Sequence, residues 1–245
     1  MDERRCAYCG GSAATVDHVV PRGLYPESKA NSRVQRITVP ACDACNRSWV
    51  DDEPHFRTIL LIAGEPTAVV RELWEGKTRR SFLQPDGHRR RLDVARLMVP
   101  VQTPDGERHK VYPADDPRFM RVLRKVVRGL SHHHDVLSPV SDDQLWADVQ
   151  RFEVPPELMG QLTVTHAEAD ILEYRWAVLP QDQFIHSVWL LRFFERTPFM
   201  GIVFRSPEAM LAAGRAEVES SRVAGEQADA ADDHRDGKGN SDARS

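Results

Sequence analysis

Four cysteines fall in two Cys-x-x-Cys pairs, Cys6-Ala7-Tyr8-Cys9 and Cys42-Asp43-Ala44-Cys45. A tight turn at that spacing aims both thiolates of a pair at one ion. Two such pairs supply the four ligands of a tetrahedral Zn²⁺ site and leave no position open, so the site they predict is structural. Free buried thiols and disulfides are the alternatives. The charged start, MDERRC, shows no signal peptide and points to a reducing cytoplasm, where paired cysteines read as metal ligands. About thirty residues separate the pairs, more than a compact zinc ribbon uses. That spacer carries Asp17-His18 inside the strand-like run Thr15-Val16-Asp17-His18-Val19-Val20-Pro21. By side-chain chemistry alone, His18 either moves protons near neutral pH or staples a hairpin.

The runs CAYCG, TVDHVVPRGL and ITVPACDACN, taken together, resemble the HNH endonuclease superfamily. More narrowly, they are similar to a group of uncharacterised bacterial HNH proteins that also carry an acidic segment, here Asp51-Asp52-Glu53-Pro54-His55-Phe56-Arg57. The likeness extends more loosely through KVVRGLSHH and SVWLLRFFERTPFMGIVF. It implies a ββα-metal core braced from outside by zinc on Cys6, Cys9, Cys42 and Cys45. It implies that Asp17 and Asn46 ligate a catalytic Mg²⁺ or Mn²⁺ through hard oxygens, and that His18 is the general base for an attacking water. The implied activity is metal-dependent hydrolysis of phosphodiester bonds in nucleic acid, with double-stranded DNA as the partner. Two positions depart from the family pattern. The third motif residue is Asn46 in place of His. The central Asn is missing, with Gln35 or Ile37 in its neighbourhood and Asn31 earlier; Gln35 is the candidate to brace the loop that carries the base. These departures keep a second function open, a zinc-binding HNH-like module that binds nucleic acid or a protein partner without turnover.

The elements that must hold these residues divide the chain by composition. Residues 1–60 are poor in large apolar side chains, as expected of a small module that relies on a metal. Residues 61–213 alternate helical and strand signals and read as an α+β accessory domain that positions substrate. Residues 214–245 are dominated by Ala, Glu, Asp, Gly, Ser and Arg, end in ADDHRDGKGNSDARS without any large apolar side chain, and read as a disordered tail. Apolar spacing predicts helices over Phe56 to Trp74, broken at Gly64-Glu65-Pro66, and a hairpin over Leu97 to Tyr112 that turns at Pro104-Asp105-Gly106. Asp116-Pro117 opens a long amphipathic helix through Leu130, with Phe119, Met120, Leu123, Val126, Val127 and Leu130 as its buried stripe. Strands of a largely antiparallel sheet are expected at Gln161–Thr165, Leu172–Leu179, Ser187–Phe194 and Phe199–Phe204. In SVWLLRFF the imperfect alternation suggests cover on both faces. The class is α+β.

The net charge of −4 means that nucleic-acid binding must come from local basic surfaces. Arg121, Arg124, Lys125 and Arg128, with Arg118, lie opposite the stripe of the long helix, as a phosphate-backbone track or as a solvated face. Arg79, Arg80, Arg89, Arg90 and Arg91 flank a turn-like QPDGH and offer a second backbone-contact loop. His132-His133-His134 reads as a helix-end feature rather than a metal tract. Asp51, Asp52 and Glu53 read as a solvated helix face, or as an outer shell to the metal. Trp74, Trp146, Trp176 and Trp189 read as core. No apolar run is long enough for a transmembrane helix, so a membrane is not an expected partner.

Overall fold

The computed structural model describes residues 4–216 except 31, 33, 64, 65, 114, 152, 169 and 197. The fold is α+β. Strands β1 (Thr15–His18) and β2 (Thr38–Ala41) pair antiparallel, with Asp17 opposite Val39 and His18 opposite Thr38. Helix α1 (Asp43–Arg47) follows directly, so the N-terminal element order is ββα. Cys42 caps α1 through its sulfur, which accepts from the Cys45 N–H. Helices α2 (Asp52–Ile62) and α3 (Ala68–Leu73) come next, separated around Pro66 as the sequence predicts. A π-helical turn (Trp74–Thr78) leads into α4 (Arg79–Phe82) and α5 (Gly87–Leu97).

Strands β3 (Val99–Gln102) and β4 (Arg108–Val111) form the expected hairpin. Gly106 turns it at φ +89°, a left-handed value that a side chain disfavours. The long helix is α6 (Pro117–His133). Asp116 caps it, accepting from the Arg118 and Phe119 N–H groups, and Pro117 sits where no N–H is needed. The other Asp116 oxygen accepts from Tyr112 and lies 3.1 Å from His55 Nε2, which ties α2, the hairpin and α6 together. Beyond it, β5 (Leu145–Val149), α7 (Pro156–Met159), β6 (Thr163–His166), β7 (Leu172–Val178), β8 (Ile185–Phe193) and β9 (Pro198–Phe204) build an antiparallel sheet in the order β5-β9-β8-β7-β6.

Helix α6 is the centre of the molecule. Val122, Leu123, Val126, Val127 and Leu130 are each fully buried. Phe56, Phe119, Phe193 and Phe199 join α2, α6 and the sheet, with the Phe56 and Phe119 rings 4.6 Å apart and Phe119 and Phe199 5.4 Å apart. One cluster of buried apolar side chains runs from Cys6 and Tyr8 through α2 and α6 to Val203. The expected boundary at residue 60 therefore marks an order along the chain and not a gap between two cores.

Several expectations need correction. The turn expected at Gln84-Pro85-Asp86 is present, but the arginines that flank it lie on two helices, α4 and α5, and not on a loop; the charge-rich sequence hid α5 because it buries only Gly87. Strand β5 was not foreseen, since Leu145–Val149 is only five residues long and its apolar run is interrupted by Asp148. In β8, Ser187, Trp189, Leu191 and Phe193 alternate onto one buried face, while Arg192 is exposed, so cover on both faces is incomplete. Trp74 is 40% exposed; it opens the π turn and packs edge-on against Phe82 instead of entering the core. Helical structure continues over 207–216, past the expected end of order at 213, and the rest of the tail lies outside the described residues, as does Asn31. Among the described residues no helix is long and apolar enough to cross a membrane.

Candidate metal centre and catalytic cleft

The four cysteine sulfurs lie within 4.8 Å of one another. Cys9 Sγ and Cys42 Sγ are 3.8 Å apart. Zn–S bonds of about 2.3 Å at tetrahedral angles require sulfurs close to that separation. The first pair is held in a knuckle: Cys6 N–H donates to Gly11 O, Gly10 N–H donates to Cys6 O, and Gly10 takes φ +73°. Ala7 N–H donates to Pro40 O, which stitches the knuckle to β2. Burial alone would raise the Cys6 thiol, but N–H groups of Cys42, Tyr8 and Cys9 donate to its sulfur and draw it down to about 7. Burial pushes the Cys45 thiol far up, and the sulfurs of Cys42 and Cys9 add to that. Four thiolates cannot share so small a volume without a cation among them. The donor set and spacing suit a zinc ion.

The other three motif residues meet in one place. Asp17, His18 and Asn46 line a cleft of about 300 Å³ together with Val16, Arg22, Val50 and Glu53. The ββα element explains the convergence, since β1 carries Asp17 and His18 while α1 begins beside β1 and brings Asn46. Asn46 Nδ2 donates to Thr15 Oγ1 at 3.1 Å, so its side-chain carbonyl oxygen is the atom with a lone pair for a cation. His18 Nδ1 is buried without a hydrogen-bond partner. Its imidazole is held below the ordinary histidine value, first by burial, then by the positive charge of Arg22, with Arg36 and Lys125 adding; Asp17 opposes them. His18 is therefore neutral at pH 7, the form that accepts a proton.

Asp17 is only 6% exposed and is heavily engaged. Tyr8 donates its hydroxyl to Oδ2 at 2.6 Å, and Lys125 Nζ reaches Oδ2 at 3.0 Å and Oδ1 at 3.2 Å. The tyrosine between the first two cysteines thus ties the knuckle to the cleft. Burial pushes its hydroxyl pKa far up, and the Asp17 charge adds to this.

The basic track expected on α6 is only half present. Arg121 is exposed, bonds Asp52 at 3.1 Å and lies over the Trp49 ring; Arg124 is half-buried. Lys125 and Arg128 require correction as backbone contacts, because both point inward. Lys125 is fully buried, and Arg128 donates to the Tyr8 carbonyl and to Asp142. Gln35 is exposed and absent from the cleft, so it does not brace the strand end that carries His18. That support comes from Ile37 O, which accepts from Val19 N–H, and from Lys125, which donates to His18 O at 3.0 Å. Of the acidic trio, Glu53 faces the cleft while Asp52 pairs with Arg118 and Arg121. His132 and His134 bond separately to Ser138 and Tyr174, which leaves no shared metal geometry. A larger cleft of about 520 Å³ shares Val50 with the first and carries Arg89, Arg90 and Arg118 beside Asp51, Asp86 and Asp93.

The roles of Lys125, Glu53, Tyr8 and Arg22 were missed as a set. The acidic segment and the CAYCG run carried part of the signal, but nothing local linked Lys125 to Asp17, 108 residues away. Comparison with protein-family models, with curated proteins and with solved structures finds no match to the chain in any of the three. The likeness to the HNH superfamily therefore rests on the motif residues themselves.

Proposed function

We propose that the chain is a metal-dependent HNH-type endonuclease that hydrolyses phosphodiester bonds in nucleic acid, with double-stranded DNA as substrate. The observation that supports this reading is the meeting of Asp17, His18 and Asn46 in one cleft on a ββα element whose ends are drawn together by the four cysteines. In this reading Cys6, Cys9, Cys42 and Cys45 hold one structural Zn²⁺. Asp17, Asn46 and Glu53 offer hard oxygens, the donor type that Mg²⁺ or Mn²⁺ prefers. Bound there, the cation supplies Lewis-acid stabilisation of charge on the scissile phosphate and the leaving oxygen. His18, neutral at pH 7, takes the proton of the attacking water as its oxygen bonds to phosphorus. The P–O bond to the leaving sugar oxygen breaks, and that oxygen is protonated from solvent. Arg22 lines the same cleft and provides a fixed positive charge for the phosphate. Arg121 and Arg124 on α6, with Arg89 and Arg118 of the neighbouring cleft, are the backbone contacts.

The second reading, a module that binds without turnover, is favoured by one observation: both oxygens of Asp17 are already engaged by Tyr8 and Lys125. Incubation with supercoiled plasmid in Mg²⁺ or Mn²⁺ separates the two. The nuclease reading expects nicking that requires the added cation and falls at least about a hundredfold in Asn46→Ala, as the loss of a metal ligand would cause. Plasmid binding without cation-dependent nicking would favour the second reading.

A further inference from the structure

The Lys125 ammonium has three N–H donors, and each has an acceptor: an Asp17 oxygen at 3.0 Å, Glu53 Oε1 at 2.6 Å and His18 O at 3.0 Å. Its side chain is fully buried. Desolvating a charge so completely is costly unless its partners are as fixed as these. The three acceptors come from β1 and α2, and the cation from α6, so the group joins three elements at the wall of the cleft. Two carboxylates that would face each other with a charge of −2 are left with −1.

We propose that Lys125 is a tethered cation for the candidate centre, a positioning residue that occupies part of the carboxylate cage and so weakens the binding of a divalent ion beside Asp17 and Glu53. The proposal rests on the reading of the cleft as a cation site. It accounts for how the almost wholly buried Asp17 carboxylate is partnered, and how the strand end bearing His18 is held without the central Asn. It also makes divalent binding a competition. An ion at the cleft must share Asp17 and Glu53 with an ammonium that cannot diffuse away. A unit charge about 5 Å from a divalent ion, screened as in bulk water, is worth roughly tenfold in affinity, and more when partly buried.

The test is Mn²⁺ binding to the zinc-loaded full chain, followed by the electron paramagnetic resonance signal of free Mn²⁺, for wild type and Lys125→Met. Methionine keeps an unbranched chain only one atom shorter and removes the charge. The expected result is Mn²⁺ affinity at least about tenfold tighter in Lys125→Met, with a larger Mn²⁺-induced rise in melting temperature than in wild type. Equal or weaker affinity in the variant would overturn the proposal. If Lys125→Met does not fold without added divalent ion, the readout becomes refolding on Mn²⁺ titration by circular dichroism. Recovery supports the proposal, and failure to recover sinks it. A purely structural lysine would lose stability on substitution without gaining metal affinity. Neither readout depends on cleavage. Absence of nicking by wild type would remove the nuclease reading and leave the Mn²⁺ comparison standing, and His18-dependent nicking with unchanged Mn²⁺ affinity would do the reverse.

Discussion

At the scale of single residues, the cleft is held by a few polar contacts whose removal has a calculable direction. Tyr8→Phe deletes the hydroxyl that donates to Asp17 Oδ2 and leaves the ring packed edge-on near Trp49. Hydrogen bonds to charged groups contribute about 1.5–3 kcal/mol, so denaturant melts should show a loss near 1–2 kcal/mol, since Lys125 still pairs with Asp17. An unchanged midpoint would mean that the contact is not formed in solution. His134 gives a pH prediction. Its ring lies tilted against Trp176, 5.0 Å between centroids, and bonds Tyr174 at 2.9 Å, and burial first, then the charge of His133, hold its pKa below the ordinary value against Asp135. The unfolded chain binds a proton at the ordinary value while the folded chain resists it. The stabilisation is thus complete above about pH 6.5 and is lost as pH falls toward the folded value. Urea midpoints at pH 7 and pH 5 should fall further for wild type than for His134→Phe; equal falls would contradict the assignment. The candidate trio was legible because Asp17-His18 and Asn46 sit inside contiguous motifs. Lys125 was not, because its partners are set by how α6 crosses β1 and α2, and in sequence it belongs to an ordinary run of basic residues.

At the scale of elements, α6 shows how close approach overrides helix propensity. Gly129 sits in its interior, where alanine would ordinarily gain about 1 kcal/mol. A Cβ there would meet Val19 Cγ2 at 2.7 Å, just beyond the end of β1. On the opposite side Gly201 of β9 admits Val127, whose Cγ2 would be 2.9 Å from a Cβ at that position. Gly129→Ala is therefore expected to destabilise by about 1–3 kcal/mol in thermal or denaturant melts, and a gain in stability would show that the β1–α6 contact is looser than described. The period of α6 revealed one apolar stripe but not that the opposite side is also covered, since cover there comes from Val19 and Tyr8. The ββα order was implied by the resemblance of the cysteine and Asp-His motifs to the HNH superfamily, and the hairpin could be read from its turn at Pro104-Asp105-Gly106. Helix α5 could not, because a helix that buries one glycine leaves no apolar period to detect.

At the scale of the whole molecule, the cysteine cluster, α6 and the sheet share one core. Stripping metal from Cys6, Cys9, Cys42 and Cys45 should lower the temperature of a single cooperative transition rather than split it, and metal analysis should find about one zinc per chain. Two separate transitions after chelation would show that the N-terminal element is an independent unit. The α+β class was legible from the alternation of signals along the chain, but its unity was not, since composition marked a change near residue 60 across which the core is continuous. Within this frame we propose His18 as the general base for phosphodiester hydrolysis. The most direct test is the single-turnover rate of supercoiled plasmid nicking in Mg²⁺ by zinc-loaded wild type, by His18→Ala, and by His18→Ala with added imidazole. The expected result is a loss of about 10²- to 10⁴-fold in the variant and partial recovery with imidazole. Equal nicking by wild type and His18→Ala, or none by either, would contradict it.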